Sequence, residues 1–269
     1  MSGPVLKTAV HTAVKTEIGY TTTDTIMVRG LNLATEIIGK FDFVDMIFHT
    51  VLSRRPTAQE KVMVNALLVT TADHGITPSS LSARLTYIGA PEALQGAVAT
   101  GLLGAGSVFL GTMQNAAEML IEAGRPLPPD ADDAAILDAA RALIRRHKSE
   151  RRPIYGVGHP IHVDGDPRVP ALRELSRDNG FFGVHWRLMD AIARVLTTEH
   201  GKKLPVNAVG AIAAIVAAMG LDPLIARGLS LVGRSAGLLA HILEEKQSPM
   251  AREAWELVLK ADPRNVLPA

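Results

Sequence analysis

Residues 154–168 read IYGVGHPIHVDGDPR, which sets glycines, two histidines, two prolines and an arginine among acidic residues within fifteen positions. A dinucleotide-binding loop would need a third glycine at a fixed place and then a helix. After Gly156 and Gly158 neither follows, because Pro160 removes a backbone donor and blocks helix entry. A Rossmann-type α/β fold is excluded on that ground. His159 and His162 are three apart, but the intervening Pro160 denies them the regular helical face that zinc-binding histidines use, and no carboxylate has ligand spacing. What the stretch supports is a loop whose glycines let a ligand approach the backbone, and a histidine able to move protons near neutral pH. Asp166 and Pro167 open a helix that carries Arg168. Such a loop suits a small anion.

On both sides of the loop, helical signals dominate and strand signals are scarce. Asp42 to Leu52 repeats apolar residues at Phe43, Val44, Ile47, Phe48 and Val51, one face of a helix. Thr57 and Glu60 form a capping-box pattern for a helix running towards Ala72, and Pro91 with Glu92 starts another. Asp130 to Arg146 is amphipathic, and Asp222 with Pro223 caps a further helix. Residues 124–129 are the linker candidate, and no repeat of fixed period occurs. The expected fold class is all-α.

Composition agrees. Of 269 residues, 47% are hydrophobic but only 4% aromatic, so Ala, Leu, Val and Ile must fill the core. The formal net charge of +1 provides no field for nucleic acid or an acidic membrane surface. The basic run Arg145 to Arg152 reads as the solvated end of a helix. Leu94 to Gln114 carries no charge and has the length of a membrane span, but its many small residues favour closely packed buried helices. The absence of cysteine removes thiolate chemistry and agrees with a reducing cytoplasm, and MSGPVLKTAV lacks the apolar run of a signal peptide.

The loop has company elsewhere in the chain. ADHGITPSS (72–80), GVGHPIHVDGDPR (156–168) and VGRSAGLLAHILEE (232–245) resemble, in order, segments of the citrate synthase superfamily. DTIMVRGLNLATEI and FDFVDMIFHTVLSRRPT near the start extend the likeness over nearly the whole chain. The resemblance implies a citrate synthase-like, all-α homodimer or higher homo-oligomer. It also implies a large domain (1–108 and 216–269) and a smaller helical one (109–215) that close over oxaloacetate and a coenzyme A thioester. Carried over, His74 and His159 would hydrogen-bond the keto or hydroxyl oxygen of the oxo-acid half. Arg168 and Arg234 would hold its carboxylates, with Arg252 doing so across the dimer. Guanidinium groups can grip carboxylates with two parallel hydrogen bonds. Lys202 and Lys203 resemble a region near the coenzyme's phosphates, although a solvated surface is the simpler reading.

Two family positions differ. Where citrate synthases carry a second catalytic histidine this chain has Phe109, as in citryl-CoA lyases and the lyase domain of ATP-citrate lyase, and the short chain also agrees with that branch. The family's catalytic carboxylate falls on Val209 or, with the match shifted, on Asn207; His162, Asp164 and Asp166 are candidate substitutes. The expected activity is retro-Claisen cleavage of a citryl-CoA-like thioester to acetyl-CoA and a 2-oxo acid, with His159 and His74 catalytic. Coenzyme A enters only within substrate and product, and neither a metal nor another bound cofactor is called for. A citrate or alkylcitrate synthase, and a binding homologue without catalysis, are the alternatives. His241, on the face of Arg234, and Arg84 are read as structural, as are Trp186 and Trp255.

Overall fold

The computed structural model describes residues 15–266, so the N-terminal decapeptide and His11 lie outside the described residues. The chain divides into two compact units, up to Lys61 and from Val62 onwards.

The first unit opens with a three-stranded antiparallel sheet, β1 (Gly19–Thr21), β2 (Ile26–Val28) and β3 (Leu31–Asn32). Gly19 pairs with Val28 and Met27 with Asn32. The two-residue turn Arg29–Gly30 places both residues at positive φ, 46° and 83°, which matches the twist of a tight hairpin. The helix expected from Asp42 to Leu52 is split. A reciprocal cap between Asp42 and Asp45 starts α1 (Phe43–Ile47), and the next residues continue as a wide π-helical turn that stops at left-handed Ser53. Thr57 and Glu60 form the expected capping box at the start of α2 (Ala58–Ala72).

The second unit is helical. It holds α3 (Pro78–Gly89), α4 (Leu94–Ala105), α5 (Gly111–Gly124), α6 (Asp133–Ser149), α7 (Arg168–Asp178) and α8 (Val184–Thr198). After these come α9 (Ala208–Ala218), α10 (Pro223–Gln247) and α11 (Ala251–Ala261). Two starts fall later than expected: Pro91 and Glu92 make the turn before α4, and Asp132 rather than Asp130 caps α6. Both boundaries of the expected small domain, 108/109 and 215/216, lie inside this unit.

At its centre is α9, almost wholly apolar, with Ala211 to Val216 at most 1% exposed; α5 and α8 pack against it. Trp186 of α8 is fully buried, whereas Trp255 is half exposed and anchors no core. The run Leu94–Gly124 is long and apolar enough to cross a membrane by length and composition. Gly106, at φ 48°, breaks it into α4 and α5, and a Cβ at Gly101 would come within 2.7 Å of Leu238. Small residues thus let α4 press against α10, as its composition foretold. On α10 the same device recurs: Cβ atoms at Gly233 and Gly237 would overlap the carbonyls of Leu68 and Ala72 at the end of α2.

Candidate active site

Gly156 and Gly158 seat the loop before α9. Both are left-handed, at φ 85° and 73°, and a Cβ on Gly156 would meet the Gly210 Cα at 2.6 Å. The loop is then bonded to the start of the helix. The Asn207 N–H donates to the Gly156 carbonyl (3.0 Å), and its side-chain Nδ2 donates to the Gly158 carbonyl (2.5 Å). Asn207 also caps α9 by accepting from the Gly210 N–H. Gly156 thus allows the loop to lie on a helix backbone, while a Cβ on Gly158 would meet the Leu204 side chain at 2.8 Å.

That clamp presents His159. Its Nδ1 accepts hydrogen bonds from the Ile161 and His162 N–H groups (3.1 and 3.0 Å), so the neutral ring carries its proton on Nε2. Burial, followed by the neighbouring His162, pushes its pKa below the ordinary imidazole value. Burial and then the Arg168 charge do the same to His74, which follows the end of α2. Ring centroids stand 5.6 Å apart for His74 and His159, 5.7 Å for His74 and His162, and 4.5 Å for His159 and His162. His162, named from sequence as a candidate substitute for the carboxylate, stands here as a third imidazole. The three rings offer nitrogens mutually within 4.8 Å, a spacing that could surround a cation. His159, however, has its Nδ1 lone pair engaged by two amides, which leaves a donor N–H and no free lone pair on Nε2 of the neutral ring.

Asp166 is buried beneath the loop. Its carboxylate accepts from Arg168 Nε (2.9 Å), Arg168 Nη2 (2.7 Å) and the Ala208 N–H (2.9 Å). Burial alone would raise its pKa, but these donors hold it far below the usual carboxylate range. It ties α7 to α9, and both its oxygens are engaged by these donors. Asp164 forms an exposed pair with Lys203 (2.6 Å), away from the imidazoles' cavity.

Arg234, on α10, differs from Arg168. It is 7% exposed, yet its Nε and Nη1 have no hydrogen-bond partner among the described residues. Burial depresses its pKa; the Asp73 charge opposes that shift, and Arg168 adds to it. A guanidinium remains protonated regardless, so this is a desolvated cation suited to an anion.

His74, His159, Arg168 and Arg234 line one cavity of about 160 Å³. Thr77 and Ser79 at the start of α3 and Asn207 to Val209 at the start of α9 form part of its wall, so two helix N-termini border it. Ala105, Phe109, Leu110, Met113 and Val209 form an apolar side, and no Asp or Glu lines it. Phe109 and Val209, the changed family positions, therefore stand at this cavity, as does Asn207. Arg252 does not: it lies exposed on α11. Ser79 and Thr77 were not singled out from sequence, although Thr-Pro-Ser-Ser is a legible helix start and Thr77 and Ser80 cap each other.

A second network lies behind the cavity. Arg84 on α3, 1% exposed, donates to Glu245 (2.8 Å), to Glu244, and from Nε to His241 Nδ1 (3.1 Å). His241 must then donate from Nε2 to Asp73 (2.8 Å), the residue before His74. Burial would raise the Asp73 pKa, but the Gly75 N–H and His241 hold it below its ordinary value. A chain of polar contacts thus runs from the C-terminal end of α10 to Asp73, beside His74 in the sequence.

Comparison with known proteins places this geometry in context. The citrate synthase C-terminal domain family matches residues 19–254. A solved citryl-CoA lyase from Hydrogenobacter thermophilus is 29% identical, with a TM-score of 0.79, over 95% of each chain. An ATP citrate lyase from Methanosaeta concilii, solved with (3S)-citryl-CoA, is 21% identical with a TM-score of 0.72; the match covers all of this chain and 43% of that one. Citrate synthase 2 of Bacillus subtilis is 26% identical over 76% of this chain, which spans only about half (52%) of that relative's length. With the family matched across most of its length and the histidines and arginines gathered at one cavity, the chain belongs to the citrate synthase family.

Proposed function

We propose that the chain cleaves a citryl-CoA-like thioester into acetyl-CoA and a 2-oxo acid such as oxaloacetate. The observation that carries this reading is Arg234, a buried guanidinium that lines the same cavity as two imidazoles and has two donors without a partner among the described residues. A substrate carboxylate on Arg234 would bring the adjacent hydroxyl to His74 and His159, whose N–H groups suit an oxygen on which negative charge develops. The apolar side, from Ala105 to Met113, would take the thioester arm and exclude water from the enolate. Full-length likeness to a citryl-CoA lyase supports this direction. Residues 109–215 contribute Phe109, His159, Arg168 and Val209, and the remainder contributes His74 and Arg234, consistent with a small domain closing on the substrate.

Coenzyme A is then part of substrate and product, a homodimer would bring Arg252 of one copy to the other's site, and the cytoplasm is the compartment proposed. The test is incubation of the purified protein with citryl-CoA, following oxaloacetate release in wild type and His159→Ala. Cleavage that falls at least roughly 10²-fold in the variant supports the assignment. Equal rates would remove His159 from the chemistry. Curated relatives named citrate synthase favour one second reading, condensation of an acyl-CoA with a 2-oxo acid. Free-thiol release in the forward direction, without cleavage of citryl-CoA, would select it.

A further inference from the structure

We propose that His162, which is not among the cavity's lining residues but stands against the rings of His74 and His159 that are, is the proton carrier of this site, taking the place of a carboxylate, none of which lines the cavity among the described residues. This rests on the cleavage reading above. The nearby acids are all engaged: Asp166 holds Arg168 and the start of α9, Asp164 pairs with Lys203, and Asp73 receives His241 and the Gly75 N–H. His162, by contrast, uses only its backbone N–H, on His159 Nδ1; its ring makes no hydrogen bond among the described residues. The ring stacks at 4.5 Å on His159 and meets His74 edge-on.

The spacing fits one shared oxygen. Three nitrogens mutually within 4.8 Å have a common point no more than about 2.8 Å from each, which is hydrogen-bond distance. In the arrangement proposed, a substrate hydroxyl beside these rings accepts from His159 Nε2–H and from His74, and donates its own proton to the lone pair of His162.

The chemistry then balances within the site. His162 removes the hydroxyl proton. The oxygen's electron pair forms the new C=O bond as the adjacent C–C bond breaks, and the electrons of that bond pass to the thioester enolate. His162 returns its proton to the enolate carbon, giving the methyl group of acetyl-CoA. One proton moves from oxygen to carbon, with no net change in charge or oxidation state.

The test compares wild type with His162→Asn and His162→Gln, both of which keep the backbone N–H that orients His159. Three readouts are taken: citryl-CoA cleavage, deuterium entry into the acetyl-CoA methyl group in D2O with oxaloacetate present, and oxaloacetate affinity by calorimetry. The expected result is a loss of roughly 10²-fold or more in kcat and in methyl exchange in both variants, with oxaloacetate affinity changed less than about threefold. If wild type cleaves and either variant keeps its rate and exchange, the role of His162 is overturned while the cleavage reading stands. Parallel loss of oxaloacetate affinity in both variants would mean a structural role and would also overturn it. Wild type that neither cleaves citryl-CoA nor exchanges methyl protons would bring down the cleavage reading, and this inference with it.

Discussion

Arg84 and Arg234 are both buried guanidinium groups in the helical unit, and they have opposite surroundings. Arg84 is surrounded by two glutamates and a histidine; Arg234 has two N–H-bearing nitrogens without a partner among the described residues. A buried cation with its partners in place fixes a structure, because removing either side leaves an uncompensated charge. A buried cation without them is held in a costly state by the rest of the fold, a condition found where a ligand will supply the missing charge. Burial alone therefore does not identify function; the balance of donors and acceptors does.

The sharpest way to break this contrast is to remove each arginine in turn. Arg84→Met should cost about 3–5 kcal/mol of stability, since Glu245 would lose its buried counter-charge and keep only the Met250 and Ala251 N–H groups. Chemical denaturation measures this, and a loss below about 1 kcal/mol would show that Glu245 finds other support. Arg234→Met should leave stability unchanged or raised, yet weaken 2-oxo acid binding by about 2–4 kcal/mol, read by calorimetry. A variant that unfolds while binding normally would invert the comparison.

The imidazoles allow a subtler test. His74 and His159 have folded-state pKa values below the ordinary value of about 6.5, so the unfolded chain binds their protons more readily. Their contribution to stability is complete above that value and is lost as pH falls through it towards the folded pKa. Melting temperature should decline as pH falls below about 6.5, and His74→Gln with His159→Gln should flatten that decline. An anionic ligand on Arg234 should lessen it in wild type by favouring the protonated rings. At the small end, Lys203→Ala should leave melting temperature unchanged, because its pair with Asp164 is exposed on both sides. A measurable drop would show that surface pairs here count for more than their exposure implies.

Much of the architecture was readable from local signals. Helix starts at Thr57 and Asp222 are caps within three residues of their partners; the charge-free run before Gln114, expected as closely packed buried helices, packs closely at Gly101 but leaves Leu103, Val108 and Phe109 exposed. The small sheet was missed because its strands are two or three residues long and its turn is Arg-Gly. Family likeness marked His74, His159, Arg168 and Arg234 because each sits in a distinctive short segment, and the structure sets all four at one cavity. The Arg84 network was hidden for the opposite reason. Its members lie 157 and 161 residues apart, and nothing local in SSLSARLTYIG announces a partner on α10. His162 was visible as a residue but not as a third ring, since Pro160 argued against helical spacing and said nothing about a turn that folds the ring back.

The glycines of α10 have a consequence for how this site can change over time. Because Gly233 and Gly237 lie against the backbone at the end of α2, Arg234 and His74 are mounted on what amounts to a single casting, and their separation acts as a fixed gauge. A lineage that adopted a bulkier or shorter substrate would have little room to retune that end. Its innovations would gather on the opposite wall, around Phe109 and Val209, where side chains can be exchanged without disturbing the gauge.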